Sequence, residues 1–182
     1  MGILEIILIG IGLAMDAVAV SMTNGMVYRK LKSYHYIYMI LAFSVFQGIM
    51  PLLGYFAGSL FASILERYAG IAILIILGII GGKMVYEGFT HKDEETPKEN
   101  FTISVLLLQS IATSIDAFAV GVGFSAMKVN IMSATTIIAV TTGIMVAIAI
   151  VIGRKVGDML GSKAEILGGC ILIIIGIKSF LS

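Results

Sequence analysis

Met15-Asp16-Ala17-Val18-Ala19-Val20, near the start of the chain, returns as Ile115-Asp116-Ala117-Phe118-Ala119-Val120 in its second half. Five of the six positions agree in character, and in both copies the acid interrupts a long apolar run. An ionised aspartate at the centre of a spanning helix costs at least ~2.5 to 3.5 kcal/mol even on a lenient insertion scale. If these runs cross a membrane, two such acids need a reason.

Composition puts them in a membrane. The residues AVILMFWYC make up 59% of the chain and DEKR only 13%, with a mean hydropathy of +1.06. A water-soluble domain of this size would have too little polar surface to cover itself, so the lipid bilayer is its expected partner. A spanning helix needs roughly 20 mostly apolar residues. Hydropathy places six of them, at Ile3–Met26, Tyr34–Gly58, Tyr68–Phe89, Phe101–Ala126, Ile131–Ile152 and Glu165–Leu181. The expected fold class is all-α, a polytopic membrane protein with six transmembrane helices. The first run lacks the basic n-region and cleavage site of a signal peptide and is read as a span. Thr90 to Asn100, THKDEETPKEN, reads as a linker whose charge run is that of a solvated loop. It divides the chain into residues 1–89, a linker 90–100, and residues 101–182.

Further landmarks keep their order in the two parts. Gly48-Ile49-Met50 returns as Gly143-Ile144-Met145, the pair Gly54 and Gly58 as Gly153 and Gly157, and Glu66 as Glu165. Each part is therefore read as one three-helix repeat. Three spans are an odd number, so the second copy enters the membrane from the opposite side and the repeats are inverted. The basic residues agree with this. The loops after spans one, three and five hold Arg29, Lys30, Lys32, Lys92, Lys98, Arg154, Lys155 and Lys163, whereas the other side offers Arg67, Lys128 and Lys178. Because cytoplasmic loops carry the basic excess, both termini are expected outside the cytoplasm and the linker inside it.

Several function classes fall away. A net charge of +1 leaves no basic footprint for nucleic acid. The single cysteine, Cys170, permits neither a disulfide framework nor a thiolate pair, and His35 and His91 fall near helix ends rather than mid-span. No GxxxxGK[ST] phosphate loop is present to bind ATP. Two aspartates on separate spans also describe an intramembrane aspartyl protease, but Asp116 is preceded by Thr-Ser-Ile rather than by a GxGD-type signature. The chain is read as a transporter, not an enzyme.

Asp16 lies about 13 residues into its span and Asp116 about 15 into its own, which at roughly 1.5 Å per residue brings each close to the bilayer midplane. Inverted symmetry suggests that they face each other. Such a pair either shares a divalent cation or is protonated when the cation is absent. The alternative is that each acid is protonated and only hydrogen-bonds a neighbouring backbone. Helical spacing puts Thr23 and Gly12 on the Asp16 face and Gln109 and Thr113 near Asp116. With Asn24 and Gln47 these side chains offer supporting oxygens, although Asn24 and Gln47, like Ser44 and Ser114, equally suit interhelical hydrogen bonds. Gly54, Gly58, Gly78, Gly82, Gly153, Gly157 and Gly161, at small-xxx-small spacing, are expected at close helix crossings. Gly10, Gly12, Gly121 and Gly123 flank the aspartates, and Lys83 and Glu87 are spaced to pair.

Four stretches carry a resemblance: AMDAVAVSMTNG near the start, GGKMVYEGF closing the third span, SIATSIDAFAVGVGF opening the second half, and GRKVGDMLGSKAEILGG before the last helix. Together, over essentially the whole chain, they resemble the MntP-type manganese efflux pumps, which belong with the LysE-like exporters. The resemblance implies Mn²⁺ as a transported substrate rather than a resident cofactor, export from a prokaryotic cytoplasm across the cell membrane, and Asp16 and Asp116 as the motif acids. An exporter of another cation or of amino acids on the same fold is the neighbouring possibility. Ala69 and Gly70 stand where many relatives have His-Trp, and Gln47 where some have Glu. Oxygen-only ligands suit Mg²⁺, Ca²⁺ and Mn²⁺ over Zn²⁺ or Cu⁺; secondary transport by alternating access is the expected mechanism, with proton antiport inferred from carboxylate chemistry alone.

Overall fold

The computed structural model describes residues 2–28, 33–57, 71, 74–83, 85–86, 89, 101–126, 129–160 and 163–181, and there is no strand among them. The helices are α1 (Ile3–Val27), α2 (Ser33–Ala57), α3 (Leu74–Lys83), α4 (Ile103–Ala112), α5 (Ile115–Ala126), α6 (Ile131–Leu160) and α7 (Lys163–Leu181). Local chemistry fixes two of the starts. The Gly2 N–H donates to the Glu5 carboxylate at 3.0 Å, and the Ser133 N–H donates to Asn130 Oδ1 at 3.2 Å. Each satisfies an amide that the first turn of a helix leaves without an internal partner.

Four segments are long and apolar enough to cross a bilayer: Ile3–Val27, Ser33–Ala57, Ile103–Ser125 and Ile131–Gly157. Leu74–Lys83 and Gly169–Lys178 are apolar but shorter. The expected third span is thus described chiefly over α3, and the linker 90–100, His91, Ala69, Gly70 and Glu87 lie outside the described residues.

Polarity is distributed as lipid demands. On α2, Tyr34, Ile37, Leu41, Val45, Ile49, Leu53 and Phe56 form one exposed apolar stripe at helical spacing, while Gln47 is fully buried on the opposite face. Ser21, Thr23, Asn24, Gln109, Ser110, Thr113 and Ser114 are buried as well. Where α1, α2 and α4 approach, His35 stacks on Tyr34 with ring centres 4.1 Å apart and meets Phe101 edge-on, and Phe101 also packs on Tyr28.

Glycines set the crossings. A Cβ added at Gly54 would run into the Phe118 carbonyl oxygen, and one at Gly121 into that of Pro51, so α2 and α5 touch backbone to backbone. Gly153 and Gly157 of α6 meet the Met22 and Met26 carbonyls of α1 in the same way. The first helix of each half therefore packs on the second helix of the other. At the α2–α6 crossing, Gly48 faces Ala139 and Thr135, while Gly143 faces Ser44 and Ile40. Ser44 and Ile40 stand four and eight places before Gly48, and Ala139 and Thr135 four and eight places before Gly143. The two sets of neighbours exchange when one half is laid on the other.

Three expectations are corrected. The fourth span is not one continuous helix, because it turns at Thr113 and Ser114 between α4 and α5. There the hydroxyls bond backward, Thr113 Oγ1 to the Gln109 carbonyl at 3.0 Å and Ser114 Oγ to that of Ser110 at 2.8 Å. The Ser114 N–H tightens onto Ile111, and such back-bonding competes with the regular ladder. Next, the expected loop from Gly153 to Ala164 is helical as far as Leu160. Close packing of Gly153 and Gly157 on α1 outweighs the roughly 1 kcal/mol that each glycine costs a helix. Finally, Gly78 and Gly82 have nothing against them among the described residues. The close contact of α3 with α7 is instead Gly81 on Gly169, with Gly176 on Leu74.

Candidate cation site at the aspartate motifs

Asp16 sits mid-way along α1, and Asp116 in the first turn of α5, just after the break. They are close enough for their charges to act on one another, and the charge of Lys178 acts on Asp116 as well. Lys178, near the end of α7, places its Nζ 4.0 Å from Asp16 Oδ1. Neither acid is sealed in the interior as the sequence suggests. The Asp16 side chain is 31% exposed, and Asp116 is accessible although protein atoms surround most of it. Gly12 on α1, and Ala119 and Gly123 on α5, stand at helical spacing from the two acids and are exposed as well.

The backbone around Asp116 is reorganised by the break. The Ala117 N–H donates to Asp116 Oδ1 at 2.8 Å, which holds the carboxylate against its own helix start. Gln47 of α2 reaches the same place from below. Its Nε2 donates to the Thr113 carbonyl at 2.9 Å and to the Leu13 carbonyl at 3.0 Å. Leu13 precedes Asp16 by three residues and Thr113 precedes Asp116 by three. One buried amide thus ties the two motifs together at equivalent points.

The other supporting residues divide in two. Asn24 and Gln109 satisfy each other, Asn24 Nδ2 donating to Gln109 Oε1 at 2.8 Å and Gln109 Nε2 to Asn24 Oδ1 at 3.3 Å. The Thr113 hydroxyl is directed to the Gln109 and Ser110 carbonyls. By contrast, Thr23 Oγ1 and Gln47 Oε1 are buried with no partner among the described residues, as are Ser21 Oγ and Thr142 Oγ1. Thr142 immediately precedes Gly143 as Gln47 precedes Gly48, so the repeat register could have singled it out. Lys178 was open to no such signal, since only folding brings α7 beside Asp16. Among the described residues no three His, Cys, Asp or Glu side chains converge. Two carboxylates and nearby neutral oxygens are the groups here that could take a cation, a hard and weakly charged set.

A helical protein with four segments long and apolar enough to cross a membrane, and with polar side chains buried between its helices, is the class that this architecture defines. The chain belongs to the family described as "Putative manganese efflux pump", whose sequence profile matches residues 30–180. It is 46% identical to the "Putative manganese efflux pump MntP" of Ruminiclostridium cellulolyticum, over 100% of this chain and 96% of that relative. Identity is 44% with "Putative manganese efflux pump MntP 2" of Clostridium botulinum and 38% with a relative of Clostridium perfringens, each over 100% of this chain and 95% of the relative. No solved structure matches the chain.

Proposed function

We propose that this chain exports Mn²⁺ from the cytoplasm across a bacterial cell membrane as a secondary transporter, with Asp16 and Asp116 taking the ion. The observation that carries the proposal is the pair itself. Two acids at equivalent motif positions, on helices from opposite halves, lie within reach of each other's charge in an otherwise apolar protein. A dication neutralises such a pair, and an oxygen-only ligand set suits Mn²⁺. The names of the bacterial relatives support the same cargo.

The two halves, residues 1–89 and 101–182, act as inverted three-helix repeats, six spans in all, with both termini outside. The exchanged contacts at Gly48 and Gly143 and the paired Gln47 bonds support this arrangement. In alternating access the halves rock about the α2–α6 crossing and open the two acids to each side in turn. Mn²⁺ from the cytoplasm displaces protons from the acids, and protons from outside assist its release.

The test is rescue of a manganese-sensitive, efflux-deficient cell. The chain restores growth in excess Mn²⁺, whereas Asp16→Asn and Asp116→Asn do not, at equal membrane levels. Rescue by both variants removes the acids from the mechanism. In inverted vesicles, Mn²⁺ flux follows an imposed pH gradient, and a flux indifferent to that gradient removes the proton.

A further inference from the structure

Resting on that reading, we infer that Lys178 is a tethered competitor of the transported cation, a specificity-determining residue that keeps binding at Asp16 weak enough for release. Its Nζ lies 4.0 Å from Asp16 Oδ1, and its charge also reaches Asp116. Lys178 arrives from α7, while Asp16 belongs to α1, so the contact is a product of the fold rather than of neighbouring sequence. With both carboxylates ionised, two acids and one lysine carry a single net negative charge, and a bound dication would meet an ammonium at the carboxylate it needs.

The repeat makes Lys178 stand out. Leu77-Gly78-Ile79-Ile80-Gly81-Gly82-Lys83 aligns with Leu172-Ile173-Ile174-Ile175-Gly176-Ile177-Lys178, and Leu77 and Leu172 are both fully buried. Lys83 is followed four places on in the sequence by Glu87. Lys178 has no acid at that spacing, where Ser182 stands instead. Its described carboxylate is Asp16. The side chain is 74% exposed, which leaves the ammonium room to swing aside when a cation enters and to return when it leaves. An ammonium is held only at the ends of its three N–H bonds, whereas a dication gathers several oxygens, so the exchange favours the dication without making it irreversible.

The experiment uses the full chain, purified and reconstituted, with Mn²⁺ alone as the probe, comparing equilibrium binding with flux into liposomes. Lys178→Met binds Mn²⁺ about three- to fivefold more tightly, the scale of an exposed ion pair, and transports it more slowly at saturation. Lys178→Arg, which keeps the charge, stays near the parent in both readouts. Lys178→Gln repeats the Met result should the Met variant fold poorly. Unchanged or weaker binding in the uncharged variants overturns the inference. Asp16→Asn, measured alongside, separates the two levels: lost binding there with an unmoved Lys178→Met overturns only the lysine's role, whereas unaltered binding in Asp16→Asn overturns the site itself.

Discussion

At the residue scale, acids and amides play different parts. An aspartate in an apolar run is conspicuous because nothing in lipid excuses it, so Asp16 and Asp116 were legible in the sequence. The roles of Gln47, Asn24 and Gln109 were not, because their partners lie 34, 66 and 85 residues away. An amide holds both donors and an acceptor, and only the fold decides which of them is used. Gln47 spends its donors on the two motif carbonyls. Gln47→Leu removes both bonds and is expected to lower stability by ~1–3 kcal/mol, read as a drop in the melting temperature of the purified protein. An unchanged melt would deny the amide its tie. For the Asn24 and Gln109 pair, a single change to Leu leaves one amide buried and unsatisfied, so Asn24→Leu with Gln109→Leu is expected to cost less than the sum of the two alone. Strict additivity in that cycle would mean that the amides do not depend on each other.

At the scale of elements, glycine placement governs which helices meet and how closely. Gly54→Val and Gly153→Val drive a side chain into the Phe118 and Met22 carbonyls, and both are expected to abolish the folded protein, read as loss of a monodisperse species in detergent. Gly12→Ala and Gly78→Ala meet nothing among the described residues and are expected to be tolerated. If all four behaved alike, close backbone contact would not be what holds α1 on α6 and α2 on α5. Hydropathy found the starts of α1 and α6 and brought α2 within a residue at either end, because burial in lipid is a bulk property. It missed the continuation of α6 to Leu160 and the break between α4 and α5. Both depend on contacts. Gly153 and Arg154 read as loop until α1 is seen packed against them, and Thr113 with Ser114 reads as helix until their hydroxyls turn onto the preceding carbonyls.

At the scale of the whole molecule, the proposed inversion of the two halves makes a prediction about sidedness. In a Cys170→Ser background, Gly2→Cys is expected to react with a membrane-impermeant thiol reagent in intact cells, and Glu95→Cys only in inverted vesicles. Reaction of both from the same side would undo the inverted arrangement. The halves are also mechanically unequal. Helix α1 carries Asp16 along 25 unbroken residues, whereas Asp116 follows an interruption. A continuous rod moves as a strut, and a jointed one bends at its elbow. Any stroke that carries cargo across such a protein would leave the first acid riding on a rigid lever while the second swivels beside it, so two carboxylates in matching sequence motifs would share one load through different motions.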